Sequence, residues 1–204
     1  MIGMSARTPA DYLLFGVTAA ELVVLFLLSP TFRAVDWIYL SQHLLVLGIA
    51  LTRRAPEAQD SSLPSGIAVI VAYAYPYAQM VYLARVPGTS AAPTGALVLV
   101  ALAACLSLAS LVTLGQWFGN RPALRGLATT GPYRLVRHPM YLSYVLADIG
   151  YNLKEWNAGT VLLVLVGWAA LVYRIHAEER VLSRDVRWLG YQDQVRFRLI
   201  PGLW

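Results

Sequence analysis

A short stretch, residues 131–144 with the sequence GPYRLVRHPMYLSY, concentrates hydrogen-bond donors at the edge of an apolar run. Arg134, Arg137 and His138 precede Pro139, a residue suited to the first turn of a helix. The free N–H groups of a helix start carry partial positive charge and favour a carboxylate. The stretch therefore indicates an anion-binding loop and helix start, although a membrane-interface loop with aromatic anchors explains its composition about equally well.

A second group of charged residues lies in residues 173–179, YRIHAEE. Arg174 and Glu178 are four residues apart, so they share one face of a helix that continues out of an apolar run. A plain ion pair is the ordinary explanation of this spacing. The same two side chains equally suit a zwitterionic ligand and an acidic one, with Arg174 holding an anionic group and Glu178 an ammonium.

Composition places these residues in a membrane protein. Of the 204 residues 58% are hydrophobic and 13% are charged, and the mean hydropathy is positive. The single cysteine, Cys105, excludes an intramolecular disulfide. The net charge of +5 does not form a basic face interleaved with aromatic residues, so we expect no nucleic-acid partner, and no obligate protein partner is evident. Zinc-ligand spacings, phosphate loops and serine-nucleophile motifs are missing, which disfavours metalloenzymes, kinases and hydrolases.

Six apolar runs predict an all-α polytopic bundle of five to six transmembrane helices. They cover residues 12–29, 37–52, 66–84, 94–115, 140–153 and 157–173. A full crossing takes about 20 residues, so the fifth run is short. Only residues 154–156 separate it from the sixth run, and we therefore expect the two to form a tight hairpin. Asp11 and Glu21 near the first run, with no cleavage site after it, favour a retained span over a signal peptide.

The distribution of basic residues predicts the orientation. If the N-terminus is cytoplasmic, thirteen arginines fall on the cytoplasmic side and only Arg33, Arg85 and Lys154 on the other. This bias favours both termini in the cytoplasm. Residues 116–139 and 174–204 then lie on the same side, where they can form a cytoplasmic pocket for a water-soluble ligand over the ends of helices four to six.

Several polar residues fall inside the apolar runs. Ionisable groups at this depth face the protein interior or a wet cavity. We favour interhelical hydrogen bonding over substrate contact for them, and the roles of Glu21, His43 and Asp148 are not defined by sequence. Tyr73, Pro76 and Tyr77 suggest a kinked aromatic wall or ordinary packing. The polar residues are Glu21, Gln42, His43, Gln79, Asp148 and Asn152.

Two more segments, EERVL at 178–182 and VRFRLIP at 195–201, complete a pattern with residues 131–141. This pattern resembles the isoprenylcysteine carboxyl methyltransferase family, with its bacterial relatives and the related phospholipid N-methyltransferases. The resemblance covers residues 117–204, whereas helices one to three match no family. It implies an acceptor-side bundle of helices one to four in residues 1–115. Residues 116–204 would form a methyltransferase core with the cofactor loop, the helical hairpin and the cytoplasmic C-terminal segment.

The resemblance also implies S-adenosyl-L-methionine as cofactor, entering from the cytoplasm, and a lipidic or prenylcysteine-like acceptor entering from the bilayer. Arg174 would bind the acceptor, and Arg174 and His138 are the candidate catalytic residues. Ser143 replaces a common glycine of the family and Trp188 a tyrosine. The implied cofactor-binding residues are Arg125, Gly126, Leu127, Ala128, Tyr133, His138, Pro139, Met140, Tyr141 and Glu178.

The residue types agree with methyl transfer to a carboxylate. In-line displacement mainly requires alignment of the two reactants, and a carboxylate is already ionised at neutral pH. An amine acceptor would instead need a base, for which His138 and Glu179 are the candidates. The alternatives are a phospholipid N-methyltransferase, an NADPH-dependent sterol-type reductase and a non-catalytic scaffold. Arginine in place of lysine and Ala/Leu-rich spans suggest the plasma membrane of a bacterium with a GC-rich genome, so the family name does not fix the acceptor.

Overall fold

A computed structural model of the chain describes residues 16, 18–20, 22–23, 34–83, 85, 93–153 and 156–204. Of residues 34–39, 80 and 83 only the backbone is described. Most of the first apolar run lies outside these residues, together with Asp11, Glu21 and Lys154. The predictions on those residues therefore lie outside the described part of the chain.

The other five apolar runs are helices, as the sequence predicts. Gly115, with a φ of 49°, ends the fourth run, and Asn157 begins the sixth with a capping box that it forms with Thr160. The helices are α1 Ala34–Thr52, α2 Leu63–Leu83, α3 Thr94–Leu114, α4 Pro139–Asn152, α5 Ala158–Leu182 and α6 Val186–Gln194. Two short strands, β1 Ala58–Gln59 and β2 Ala123–Leu124, and two 3-10 turns, Gly115–Trp117 and Gly131–Arg134, connect them.

Two helical segments of the described part are long and apolar enough to cross a membrane, Thr94–Trp117 and Ala158–Leu182. Their outward residues, among them Leu97, Leu102 and Leu162, are more than half exposed. Lipid is the medium in which such a surface is stable. Helix α4 has 14 residues, or about 21 Å at 1.5 Å per residue. It is therefore shorter than a bilayer core of roughly 30 Å, as the short fifth run predicts.

Small residues allow close packing between the helices. Helix α4 packs along α3, where a Cβ on Gly150 would lie 2.8 Å from a methyl of Val100. Helix α2 packs along α5, where a Cβ on Gly167 would lie 2.7 Å from the ring of Tyr75. Glycine at these two positions lets the helices approach closely, as it does in many membrane proteins.

Three of the polar residues within the described helices, Gln42, Asp148 and Asn152, form hydrogen bonds inside the bundle. Asp148 of α4 accepts from the hydroxyl of Tyr75 at 2.7 Å and from the indole N–H of Trp168 at 2.8 Å. Asn152 donates to the backbone of Asp148, and Gln42 of α1 donates to the carbonyl of Ala104 in α3. The bonds of Asp148 and Gln42 agree with the interhelical role favoured for such residues, whereas the bond of Asn152 lies within α4.

The segments between the helices meet in one layer. Strands β1 and β2 pair antiparallel with Ala58 opposite Leu124, which places the loop after α1 beside the loop after α3. Leu124 and the end of α5 then pack against Trp188 and Tyr191 of α6. The backbone N–H groups of residues 137 and 138 donate to the carbonyls of residues 197 and 198. The part of α5 beyond Tyr173 contacts both the loop before α4 and the C-terminal segment.

Candidate functional site

A cleft opens in this layer, between the loop after α3, the start of α4 and the extension of α5. Its walls include most of the residues expected at the site. The predicted residues that line it are Arg125, Tyr133, His138, Met140, Tyr141, Arg174 and Glu178. Gly126, Leu127, Ala128 and Pro139 do not line it and form the structure behind its wall.

Arg174 and Glu178 occupy one face of α5, as their spacing predicts, but they do not form an ion pair with each other. The ring of Tyr141 lies beside Arg174, whose guanidinium carbon is 5.3 Å from the ring centroid. The hydroxyl of Tyr141 donates to Oε2 of Glu178 at 2.9 Å. Tyr141 therefore connects to both charged residues, and each keeps hydrogen-bonding capacity toward the cleft.

Arg174 is held from a second side by the loop after α3. Its Nη2 donates to the backbone oxygen of Asn120 at 3.1 Å, and the Asn120 side chain accepts from the hydroxyl of Tyr73 at 3.0 Å. Arg174 and Asn120 are buried. The Nε of Arg174 is also buried and has no hydrogen-bond partner within the described part of the chain. A buried donor of this kind is costly unless a ligand or water accepts from it.

Glu179, the neighbouring carboxylate, is used differently. It lies 3.2 Å from Nε2 of His138, 3.3 Å from Nε of Arg137 and 2.8 Å from Nη2 of Arg198. These three contacts join α5, the loop before α4 and the C-terminal segment. Glu179 therefore stabilises the layer around the cleft, and His138, although it lines the cleft, directs one ring nitrogen to this carboxylate.

Burial shifts the pKa of two residues before α4, Tyr133 in the 3-10 turn and Arg137 in the loop. It raises the pKa of the Tyr133 phenol, and the charge of Glu178 raises that pKa further. Tyr133 is thus a neutral hydrogen-bonding group at the cleft wall, and its carbonyl accepts from Tyr191 at 2.7 Å. Burial also lowers the pKa of Arg137, against the opposing effect of Glu179.

The side chain of Arg125 lines the cleft and passes close to the backbone of Gly119. Its Nε donates to the carbonyl of Arg54 at 3.2 Å, which ties it to the loop after α1. A Cβ on Gly119 would lie 2.5 Å from Nη1 of Arg125. Glycine at position 119 therefore provides the space that this buried guanidinium occupies.

Comparison with known proteins identifies the region that carries the cleft. Residues 92–185 match the phospholipid methyltransferase family. A curated protein, Protein-S-isoprenylcysteine O-methyltransferase A of Arabidopsis thaliana, is 29% identical over 107 residues, which cover 48% of this chain and 54% of that protein. Both matches bear out the predicted resemblance to these methyltransferases. The chain spans about half the length of the curated relative.

The matched region, residues 92–185, contains nearly all the polar groups in and around the cleft. Asn120, Tyr141, Arg174 and Glu178 lie within residues 92–185. Tyr73, which also lines the cleft, lies outside them.

The predicted residues that miss the cleft of the methyltransferase region have structural roles. A Cβ on Gly126 would collide with the indole of Trp117. Leu127 packs against the cluster around Trp188, Ala128 is buried, and Pro139 begins α4. These residues therefore shape the wall from behind.

Other wall residues were not predicted as site residues. They include Trp117, Phe118, Gly119, Arg121 and Tyr144. The available signal was the sequence WFGNRP at 117–122, in which aromatic residues, a glycine and a proline follow an apolar helix at once.

The charged and aromatic groups of the cleft fit a nucleoside cofactor that carries an amino-acid group. Glu178 provides a half-buried carboxylate for an ammonium, Arg125 a cation for a carboxylate, and Trp117 and Phe118 aromatic surface. The cleft has a volume of about 60 Å³. Ligand pockets usually measure about 300–1,000 Å³. A cofactor of this size must therefore also occupy the open mouth of the cleft or displace lining side chains.

Proposed function

We propose that the chain is an integral membrane methyltransferase that uses S-adenosyl-L-methionine to methylate a carboxylate on a hydrophobic, prenylcysteine-like acceptor. One observation carries this proposal. Arg174 and Glu178 lie one helical turn apart in a single cleft, and each is held by Tyr141 in place of the ion pair that their spacing allows. The site thus offers a cation and a carboxylate to two different ligands at once.

The cofactor, when bound, would supply a methyl group on a sulfonium: the acceptor oxygen would bond to the methyl carbon in line as the bond from that carbon to sulfur breaks, and S-adenosylhomocysteine would leave as the neutral thioether. In this proposal Glu178 binds the ammonium of the methionyl group. Arg174 orients the acceptor carboxylate through its unpaired Nε. No base is required for an ionised carboxylate, so the contribution of the protein is alignment and exclusion of water. Alignment of two reactants can be worth about 7–11 kcal/mol of the barrier.

A groove on the outside of the bundle supports a hydrophobic acceptor. It lies between α2 and α5, measures about 440 Å³ and is lined by apolar side chains such as Ile67, Val71 and Val166. Tyr173 also lines it, directly before Arg174 in the chain. The two helices that bound the groove, α2 and α5, also contribute Tyr73 and Arg174 to the cleft. An apolar chain in the groove would therefore come close to the proposed transfer site.

Phospholipid N-methylation is the second candidate, because the matched family is described as phospholipid methyltransferase. An ammonium acceptor must lose a proton before it can attack, so this reaction needs an available base. His138 and Glu179, the two candidates for that base, are bonded to each other, and Glu179 also pairs with Arg198. This engagement favours a carboxylate acceptor.

The remaining parts of the proposal concern the arrangement in the membrane. We propose five to six spans, both termini in the cytoplasm, and a bacterial plasma membrane. In this arrangement residues 1–115 form the acceptor-side bundle and residues 116–204 the methyltransferase core. The pairing of β1 with β2 supports the proposal, since the loops after α1 and α3 must lie on one side. The test is cysteine accessibility in intact cells. Cys105 is first replaced, and a single cysteine is then introduced at position 61 or at position 129.

Two measurements on purified protein test the activity. Thermal stabilisation by S-adenosylhomocysteine is expected for the wild-type protein, and Glu178→Gln is expected to abolish most of it. Labelled methyl from S-adenosyl-L-methionine is then followed into N-acetyl-S-farnesylcysteine or total membrane lipid. A base-labile product identifies an ester and a stable product an amine. Stabilisation by NADPH without stabilisation by S-adenosylhomocysteine would exclude the proposal in favour of a reductase.

A further inference from the structure

The way in which Arg174 is held points to two further residues, Asn120 of the loop after α3 and Tyr73 of the cleft wall. A long, buried guanidinium has many rotamers, and Glu178 one turn away is the nearest place for it to form an ion pair. The structure directs it elsewhere, because its Nη2 donates to the carbonyl of Asn120 at 3.1 Å. The position of that carbonyl therefore helps to set the position of the Arg174 guanidinium in the cleft.

The carbonyl of Asn120 belongs to a connecting loop and needs an anchor of its own. The Asn120 side chain supplies one, since its Oδ1 accepts from the hydroxyl of Tyr73 at 3.0 Å. Asn120 is only 4% exposed, so this bond is formed away from water. A chain of two hydrogen bonds thus runs from α2 through the loop to the guanidinium on α5.

The two ends of this chain come from different parts of the sequence. Asn120 and Arg174 lie within residues 92–185, which match the methyltransferase family, whereas Tyr73 lies outside them. Helix α2 also forms one side of the apolar groove proposed for the acceptor. The Tyr73 hydroxyl is therefore one contact by which α2 reaches the proposed transfer site.

We propose that Tyr73 and Asn120 are positioning residues that fix Arg174 for an acceptor carboxylate, so that α2 tunes the recognition of that anion. The inference rests on the proposed function and assigns a role to two residues that do not themselves transfer the methyl group. Loss of the Tyr73 hydroxyl frees the Asn120 side chain and loosens the carbonyl that holds Arg174. Glu178 stays in place, because the hydroxyl of Tyr141 still donates to it.

The test compares Tyr73→Phe with the matched control Tyr75→Phe. Both changes remove one hydroxyl from α2, but the hydroxyl of Tyr75 bonds to Asp148 inside the bundle. The probes are N-acetyl-S-farnesylcysteine, its carboxamide, which lacks the anion, and S-adenosylhomocysteine. Affinities are measured by ligand-dependent thermal shift, and KM and kcat by transfer of labelled methyl to the carboxylate probe.

The wild-type protein should prefer the carboxylate probe to its carboxamide. In Tyr73→Phe that preference should fall and KM should rise, each roughly fivefold to tenfold, the range expected for one lost hydrogen bond. The Kd of S-adenosylhomocysteine should stay within about twofold. Tyr75→Phe should leave all three quantities unchanged. In a double-mutant cycle, Asn120→Ala combined with Tyr73→Phe should cost no more than either change alone.

Three results would overturn the inference. An unchanged carboxylate preference in Tyr73→Phe, or the same loss in Tyr75→Phe, would show that the hydroxyl of Tyr73 does not position Arg174, while the methyltransferase proposal would stand. Absence of any response of the wild-type protein to S-adenosylhomocysteine would remove the proposed function itself, and the inference with it.

Discussion

Tyr141 lies between two charges that are one helical turn apart. Its ring centroid is 5.3 Å from the guanidinium carbon of Arg174, and its hydroxyl donates to Glu178 at 2.9 Å. Without this aromatic residue the two side chains could neutralise each other, as ion pairs at this spacing commonly do. Their separation leaves a cation and a carboxylate in one cleft, which a transfer reaction between two charged ligands requires.

Tyr141→Phe should weaken cofactor binding. The change removes the donor to Glu178 but keeps the ring beside Arg174, so Glu178 becomes free to turn toward the guanidinium. A hydrogen bond to a charged group is worth about 1.5–3 kcal/mol, which corresponds to at least a roughly tenfold loss of affinity for S-adenosylhomocysteine. Isothermal titration in detergent measures it. The control is Tyr82→Phe, which removes a hydroxyl near the C-terminal end of α2 that bonds to Asn157, the N-cap of α5. An equal loss of affinity in both variants would contradict this reading.

Glu179→Gln should destabilise the protein, whereas Glu178→Gln should not. Removing the Glu179 charge leaves Arg137 and Arg198 without the carboxylate on which they converge. Breaking a largely buried ion pair costs about 3 kcal/mol or more. Thermal unfolding without ligand should therefore show a lower midpoint for Glu179→Gln alone. If Glu178→Gln instead gave the larger drop, the assignment of the two neighbouring carboxylates would be reversed.

Gly119→Ala should weaken cofactor binding through Arg125. The added methyl would lie 2.5 Å from Nη1 of a guanidinium that is also held by the carbonyl of Arg54. Arg125 must then leave its position. We expect about a tenfold loss of affinity for S-adenosylhomocysteine, corresponding to one displaced charged hydrogen-bonding group. Gly190→Ala is the control, because a Cβ there meets nothing within 4 Å. Affinities that agree between the two variants would exclude the steric effect.

Asp148→Leu should lower stability without changing cofactor affinity. Asp148 accepts from Tyr75 and Trp168 and so joins α4 to α2 and α5. Hydrogen bonds between membrane helices are worth about 1–2 kcal/mol at most. The loss should appear in the unfolding midpoint in detergent, while the Kd of S-adenosylhomocysteine stays at the wild-type value. A large change in that Kd at unchanged stability would assign Asp148 to the functional site.

The helices of this protein follow directly from local sequence. Five apolar runs became helices, and the ends fall at residues that stop or start a helix, such as Gly115 and Asn157. The spacing of Arg174 and Glu178 placed them on one face for the same reason, since a helix repeats every 3.6 residues. The family resemblance could also be recognised, because its pattern consists of three short segments, each of which can be identified without the fold.

Contacts between distant segments were decided only by the tertiary structure. Glu178 and Glu179 are adjacent and chemically identical, yet one borders the cleft and the other pairs with Arg137, His138 and Arg198. The bonds from Tyr73 to Asn120 and from Asn120 to Arg174 join residues 47 and 54 positions apart. Local sequence determines which residues share a helix face, because that depends on the helical repeat. Which charge pairs with which partner depends on how helices and loops pack, because burying a charge is costly unless a partner lies beside it.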